Sequence, residues 1–380
     1  MMKKRRLIPA ILAAALLAGC TSPLSKEEKK VVTQDKDDSQ STIVPNTVTE
    51  GKYYRTLLPY KESVSRGLIV SNIYSNYDIQ EAEQGLTRIS RNVYDPDEYF
   101  FQEGQYLDKE TVQSWLARRN QSDEGLNPSD KGMSPTERAK KAPVYLAHII
   151  EQDYLKQSGS NKVKLAGISI GLALNSVYYY QKEDYGATYD EPIPDATLNE
   201  EGKKIAAKVV KRLRDIDGLA NIPITIGLYK QSARGDIVPG TYIAYAEVGE
   251  GKSTINDWKN VSEKYLQFPM SNPEDKYREV NDNFITFKEK IDSYFTNSAN
   301  IIGTGYYTQD RMQSLKIKIP IKFYGSSEIT GFTQYAASEV VKQFPKDLKV
   351  EVSITSVNGP EALIVKKSGE SETFVHLYNE

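Results

Sequence analysis

Several scarcities narrow the chemistry before any motif is read. One cysteine in 380 residues excludes a disulfide scaffold. There are two histidines, His148 and His376, and no HxxH, HExxH or CxxC spacing, so no zinc site is encoded. Each histidine reads as structural or surface, which leaves Ser-His-Asp catalysis without support. Neither charge sign is in excess, with 49 Lys and Arg against 51 Asp and Glu and no basic block in the folded part. That balance argues against nucleic acid as a main partner. Apolar residues make up 39% of the chain, and the one long apolar run is near the start, so a multi-span membrane protein is excluded. Tryptophan is rare, at two, whereas tyrosine reaches 26.

The N-terminus reads as an address. Lys3, Lys4, Arg5 and Arg6 precede the apolar stretch from Leu7 to Ala18, which is too short to span a bilayer stably and has secretory flanks. It ends in Leu17-Ala18-Gly19-Cys20, which resembles the lipobox of bacterial lipoproteins. There, small residues fit the signal-peptidase pocket and the cysteine thiol takes a diacylglycerol before cleavage. Residues 1–19 are therefore expected to be a lipoprotein signal peptide, with Cys20 lipidated. The expected partners are membrane lipid, the acyltransferase and the lipoprotein signal peptidase. Two acyl chains, at about 0.8 kcal/mol per buried CH₂, anchor stably where one is marginal. The expected location is the extracytoplasmic face of a cell membrane. As a thioether, Cys20 is unavailable as nucleophile or metal ligand.

Residues 20–50 are polar, with the run Lys26-Glu27-Glu28-Lys29-Lys30 and scattered valines, and read as a disordered tether. Beyond it the pattern β-α-β-β occurs twice. In the first unit Val163–Leu174 is strand-like, Thr197–Asp215 helical, and Ile222–Tyr229 and Thr241–Val248 again strand-like. In the second, Leu315–Phe323 is a strand, Ser327–Gln343 a helix, and Leu348–Ile354 and Ala362–Val365 strands. Leu315, Ile317, Ile319 and Ile321 alternate with Lys316, Lys318, Pro320 and Lys322, the mark of an antiparallel or mixed sheet wet on one side. Thr197–Glu200 reads as a capping box, and Ser326 or Ser327 as the cap of the second helix. Ser134–Glu137, another capping box, is expected to open a helix reaching about Leu155 with a break at Pro143. Asp108–Arg119, Ile255–Leu266 and Tyr277–Phe295 read as further helices. Asn358-Gly359 signals a hairpin. The fold class is α+β, with two domains over 51–250 and 251–380 joined near Gly249–Gly251, a pattern expected of internal duplication.

Chemistry-bearing constellations are few. Ala246–Ser253 resembles a relaxed phosphate loop, but Ala246 stands where a glycine must let the backbone curl, and Glu247 and Glu250 would repel a polyphosphate. It reads as a Gly-rich interdomain turn. No carboxylate pair is singled out among so many acids, and no catalytic residue, metal or cofactor is called for. The tyrosines stand out. Tyr178-Tyr179-Tyr180 is followed by Tyr185 and Tyr189, which form a candidate binding loop for a cell-wall or peptide ligand, since tyrosine offers a rigid face and a hydroxyl at low entropic cost. The polar loop Gln231–Gly240 is a second candidate.

The lipobox, the polar segment and the two α+β units together resemble the CamS family of Gram-positive sex-pheromone lipoproteins. The resemblance runs over essentially the whole chain, through Leu165–Leu172, Asn175–Asp190 and Ile301–Tyr307. It implies that the named activity belongs to the signal peptide, from which membrane proteolysis frees a short hydrophobic peptide that stimulates plasmid transfer. By position that peptide is Ala10-Ile11-Leu12-Ala13-Ala14-Ala15-Leu16, which begins Ala-Ile as the staphylococcal peptide does and then departs from it. The mature part is then expected to be a non-enzymatic binding or scaffold protein. The alternatives are an ABC-type solute-binding lipoprotein and a cell-wall hydrolase using two carboxylates.

Overall fold

A computed structural model describes residues 29–33, 41–44, 53–68, 75, 77–158, 162–295, 300–322 and 325–378. Residues 1–28, with the lipobox and the pheromone stretch, lie outside the described residues. Strands and helices build two mixed sheets, each with its own apolar core.

The larger sheet runs β11-β10-β9-β6-β5-β4-β3. Its strands are β3 (Arg55–Thr56), β4 (Tyr99–Glu103), β5 (Leu146–Gln157), β6 (Lys162–Leu174), β9 (Ile224–Lys230), β10 (Thr241–Val248) and β11 (Trp258–Asn260). Two further strands join it, β1 (Lys29–Thr33) and β2 (Ser41–Val44), with β1 parallel to β6 through Val32↔Lys162 and Thr33↔Val163. They fall within the segment read as a disordered tether, and correct that reading for those residues. Main-chain pairing to a sheet needs no apolar side chain, so composition alone does not reveal it. The smaller sheet runs β12 (Glu263–Phe268), β13 (Ile302–Thr308), β14 (Arg311–Pro320), β15 (Lys349–Ser356), β16 (Gly359–Lys366) and β17 (Phe374–Leu377).

Strand order and direction repeat. In the first lobe β4/β5 and β5/β6 are antiparallel, β6/β9 parallel, and β9/β10 and β10/β11 antiparallel. The second lobe repeats this sequence of directions from β12 to β17. Each parallel step is bridged by a helix, α4 (Asp195–Asp215) in the first lobe and α6 (Ser326–Gln343) in the second. The β-α-β-β pattern read twice from the sequence is therefore present with the same strand order in both units. The chain passes from one sheet to the other after β11, at 261–262, and not at Gly249–Gly251.

The remaining helices are α1 (Ile79–Ser90), α2 (Lys109–Leu116), α3 (Pro135–Lys141) and α5 (Asp275–Tyr294), and a separate hairpin pairs β7 (Val177–Gln181) with β8 (Thr188–Pro192). The Ser134 capping box forms, but α3 stops at Lys141, and the expected continuation to Leu155 is instead β5. Lying between β4 and β6, β5 is buried on both faces, so its apolar run carries no period to separate strand from helix. Ile255–Leu266 likewise forms β11 and part of β12 in place of a helix. Helix α4 begins at Asp195 behind Pro194, whose fixed φ starts it before Thr197, and Glu200 pairs with Lys204 in place of closing a box. Gly325, not a serine, precedes α6.

One expectation fails in the first lobe only. Its sheet is covered on both faces. Ile168, Ile170, Leu172 and Leu174 of β6 pack with α4 and α2, whereas Ala173 faces Ala82, Leu86 and Ile89 of α1. Tyr242 holds α1 down, since its buried hydroxyl donates to the Ala82 carbonyl at 3.0 Å. The ring is surrounded by glycines. A Cβ at Gly85 or Gly227 would lie 2.8 or 2.7 Å from ring carbons, and one at Gly171 would lie 2.5 Å from the hydroxyl oxygen. In the second lobe, α5 and α6 cover one face, and Lys316 and Lys318 project from the other into water.

Candidate functional site

The candidate binding loop forms the β7–β8 hairpin, in which Tyr180 pairs with Tyr189 and Tyr179 with Asp190. Alternation along β7 gives its tyrosines different tasks. Tyr178 is buried against Ala139 and Val144 and accepts a hydrogen bond from Arg118 at 3.3 Å. Tyr180 stacks on Tyr178 and reaches Tyr189, with centroids 6.4 and 5.7 Å apart. Tyr179 sits under Arg234, whose guanidinium is 4.5 Å from the ring centre and whose backbone N–H donates to the hydroxyl at 3.1 Å. Lys182 lies 4.1 Å over Tyr189. Arg234 belongs to the polar loop Gln231–Gly240, so the two candidate loops are neighbours in space. A shallow cavity of about 410 Å³ lies between them. Tyr185, fully exposed with a left-handed φ of 61°, and Tyr189 do not line it.

A larger cavity of about 1000 Å³ was not foreseen from the sequence. It lies in the first lobe alone, between α1, β5 and the segment 53–68. Its outer end is a closed charge cluster. Glu103 accepts hydrogen bonds from Tyr60, from Arg66 and from the Ser63 N–H. Burial would raise the Glu103 carboxyl, but these hydrogen bonds and the Arg66 charge outweigh it and hold it below its ordinary range. The Tyr60 hydroxyl is pushed up to about 12 by burial and by Glu103.

The cavity floor is β5. Glu151 is committed to structure there, accepting the backbone N–H groups of Gln105, Tyr106 and Leu107 at 3.1, 2.9 and 2.7 Å. Gln152 ties β5 to α1, donating to the Glu83 carbonyl and to Thr87 at 3.0 and 3.2 Å. His148 meets Tyr77 edge-on at 5.5 Å. Burial lowers the imidazole to about 4, so it is neutral at physiological pH. The His148 Nδ1, the Tyr77 hydroxyl and the Arg91 Nε are buried without a hydrogen-bond partner among the described residues.

The side of α1 carries Glu83, Thr87 and Arg91 into this cavity, at i, i+4 and i+8. Glu83 makes no ion pair among the described residues, and its carboxyl is raised by burial and then by the Glu103 charge, which the Arg66 charge only partly offsets. The adjacent Arg88 faces the other lobe, with Glu81 at 2.5 Å, Glu263 of β12 at 3.0 Å and the Tyr306 ring at 5.0 Å. Burial lowers its guanidinium, and the hydrogen bonds and charges of Glu263 and Glu81 more than reverse this. No element is read from the sequence at α1, and nothing in the spacing of this row names a ligand.

Among the described residues no group of His, Cys, Asp and Glu could hold a metal ion, and no helix is long and apolar enough to cross a membrane. His376, on β17, packs against Tyr378 away from the cavity.

Comparison with known proteins gives the family. No curated protein sequence matches. Among solved structures, the sex pheromone precursor of Lactobacillus salivarius subsp. salivarius UCC118 is 34% identical, with a TM-score of 0.81, over 88% of this chain and 98% of that one. The C-terminal domain of the sex pheromone staph-cAM373 precursor from Staphylococcus aureus is 33% identical, with a TM-score of 0.69, over 81% of this chain and 99% of that one. The family described as CamS sex pheromone cAM373 precursor matches residues 60–372. With most of both lobes inside that match, the chain belongs to the CamS sex pheromone precursor family.

Proposed function

We propose that the chain is an extracytoplasmic lipoprotein held to the membrane through an acylated Cys20. The signal segment yields a short hydrophobic peptide from Ala10–Leu16, and the two lobes act as a non-enzymatic binding protein. The observation that carries this reading is the coincidence of a lipobox-like Leu17–Cys20 with membership of a family described as pheromone precursors. Cys20 is the only cysteine, so acylation has one address. The cavity beside α1 supports the binding role. Its confinement to one lobe separates it from a solute receptor that closes two lobes on its ligand.

The test is metabolic labelling with an alkyne fatty acid in cells producing the full chain or Cys20→Ala. Label on the first chain and none on the second is expected, with a peptide matching Ala10–Leu16 in the medium by mass spectrometry. A cleaved natural chain carrying a bare thiol would refute the anchor, and absence of the peptide would refute the precursor role.

One observation favours a second reading, a wall hydrolase. Glu83 and Glu103 share the cavity with carboxyls shifted in opposite directions. Against it, both Glu103 oxygens are engaged by Tyr60, Ser63 and Arg66. Glycan turnover abolished by Glu83→Gln would establish the hydrolase.

A further inference from the structure

The charges around the large cavity do not all cancel. Arg66 is matched by Glu103, Arg88 by Glu81 and Glu263, and Glu151 by three backbone N–H groups. What is left is Glu83 on α1 and Arg91 at its C-cap, opposite in sign. Eight residues separate them, which at 1.5 Å per residue is about 12 Å along the axis. An extended chain rises about 3.3 Å per residue, so three to four residues span that distance. Glu83 is exposed and Arg91 partly exposed along the open side of the cavity, so a ligand that brings both counter-charges and shields them from water gains at each end.

We propose that the cavity beside α1 binds a short peptide of three or four residues by its two free termini, with the α-carboxylate on Arg91 and the α-ammonium on Glu83. This rests on the reading of the lobes as a binding protein. The rest of the cavity fits that occupant. Tyr53 and Phe101 offer faces for apolar side chains, and the guanidinium of Arg91 lies 5.9 Å over Tyr53, leaving its edge for a carboxylate. Tyr77 and His148 close the cavity on the β5 side. A lone anion would answer Arg91 but meet Glu83 and Glu103. A lone cation would meet Arg66 and Arg91, and a neutral sugar would leave both charges unmatched.

The experiment is calorimetric titration of the detergent-purified full chain with the apolar tetrapeptide Ala-Leu-Phe-Ala, its N-acetylated form and its C-terminal amide. Binding of the free peptide is expected, with each block weakening it by about tenfold or more, as for loss of a charge-assisted hydrogen bond. Glu83→Gln should bind free and acetylated peptide equally while still rejecting the amide. Arg91→Gln should do the reverse. Glu83→Gln is near-isosteric, Arg91→Gln keeps a shorter polar side chain, and circular dichroism checks that both fold. Equal binding of free and blocked peptides by the natural chain would overturn the proposal. So would a thermal shift with wall sugars and none with the peptide, although lobes that bind a ligand would then still stand. No shift with any of these ligands would overturn both.

Discussion

The glycines around Tyr242 make a prediction that pairwise contacts alone would not. Alanine at Gly171 would place its methyl 2.5 Å from the Tyr242 hydroxyl, with Leu86 Cδ2 at 3.4 Å and Ile150 Cβ at 3.5 Å as its next neighbours. The clash is therefore with one oxygen atom. In the natural background Gly171→Ala costs about 1–3 kcal/mol of overpacking. About 0.5–1 kcal/mol is returned because alanine has less freedom to lose on folding. Tyr242→Phe alone removes a buried hydrogen bond to Ala82 and costs about 1 kcal/mol. Combined, the two changes should not add. With the oxygen gone, the alanine methyl meets only ordinary van der Waals contacts, and Gly171→Ala becomes neutral or slightly stabilising. The coupling in the double-mutant cycle should be about 1–3 kcal/mol. Urea unfolding followed by tryptophan fluorescence is the assay, because both tryptophans, Trp115 and Trp258, lie in the first lobe. Costs that add to within about 0.5 kcal/mol would refute the placement of Tyr242 against Gly171, and with it the docking of α1.

Three further outcomes are expected. His148 is lowered by burial from an ordinary 6.5 to about 4, so its neutral form contributes stability above pH 6.5 that falls away as pH drops towards 4. The linkage amounts to about 2 kcal/mol between pH 7 and 5, and His148→Gln should flatten the urea midpoint over that window; parallel pH profiles would contradict it. Arg88→Ala leaves Glu81 and Glu263 facing each other at the lobe joint. It should cost about 1–3 kcal/mol, less than a fully buried pair because Arg88 keeps 26% of its side chain in water. Calorimetry should show the lobes melting farther apart, and an unchanged thermogram would contradict the joint. Buried Lys366 donates to the carbonyls of Pro345, Lys346 and Leu348 at 2.6, 3.1 and 2.8 Å. Lys366→Met should destabilise the second lobe by about 2 kcal/mol while leaving tryptophan-monitored unfolding of the first unchanged.

Period-two alternation is legible wherever one face of a strand is wet. Leu315, Ile317 and Ile319 against Lys316 and Lys318 announced β14 and, with α6, the second β-α-β-β unit. Buried strands were harder. Leu146–Gln157 packs on both faces, so the pattern that separates strand from helix is absent, and the genuine cap at Ser134 drew the reading towards an overlong helix. The cavity beside α1 was illegible for a different reason. Its parts come from the segment 53–68, α1 and β5, and its meaning lies in which charges go unpaired, a property of tertiary neighbours. The tyrosine hairpin was visible as composition, but its division of labour was not. Tyr178 serves the core, Tyr179 stacks under Arg234, and Tyr185 points into water.

The two lobes explain why the cavity occurs once. Both copies of the six-strand unit carry a helix over the parallel step on one face. On the other face β14 and β15 present Lys316, Lys318, Glu351 and Ser353, whereas β6 and β9 present Ser169, Gly171, Thr225 and Gly227 at the matching register. Charged side chains keep that face in water. Small ones admit the Tyr242 ring and, above it, α1, which brings Glu83, Thr87 and, at its C-cap, Arg91 beside β5. The same scaffold thus acquired a second layer where its side chains became small enough to accept one. Lysine placed at Gly171 or Gly227 should therefore expel α1 and abolish the cavity while leaving the α4 face of the sheet packed.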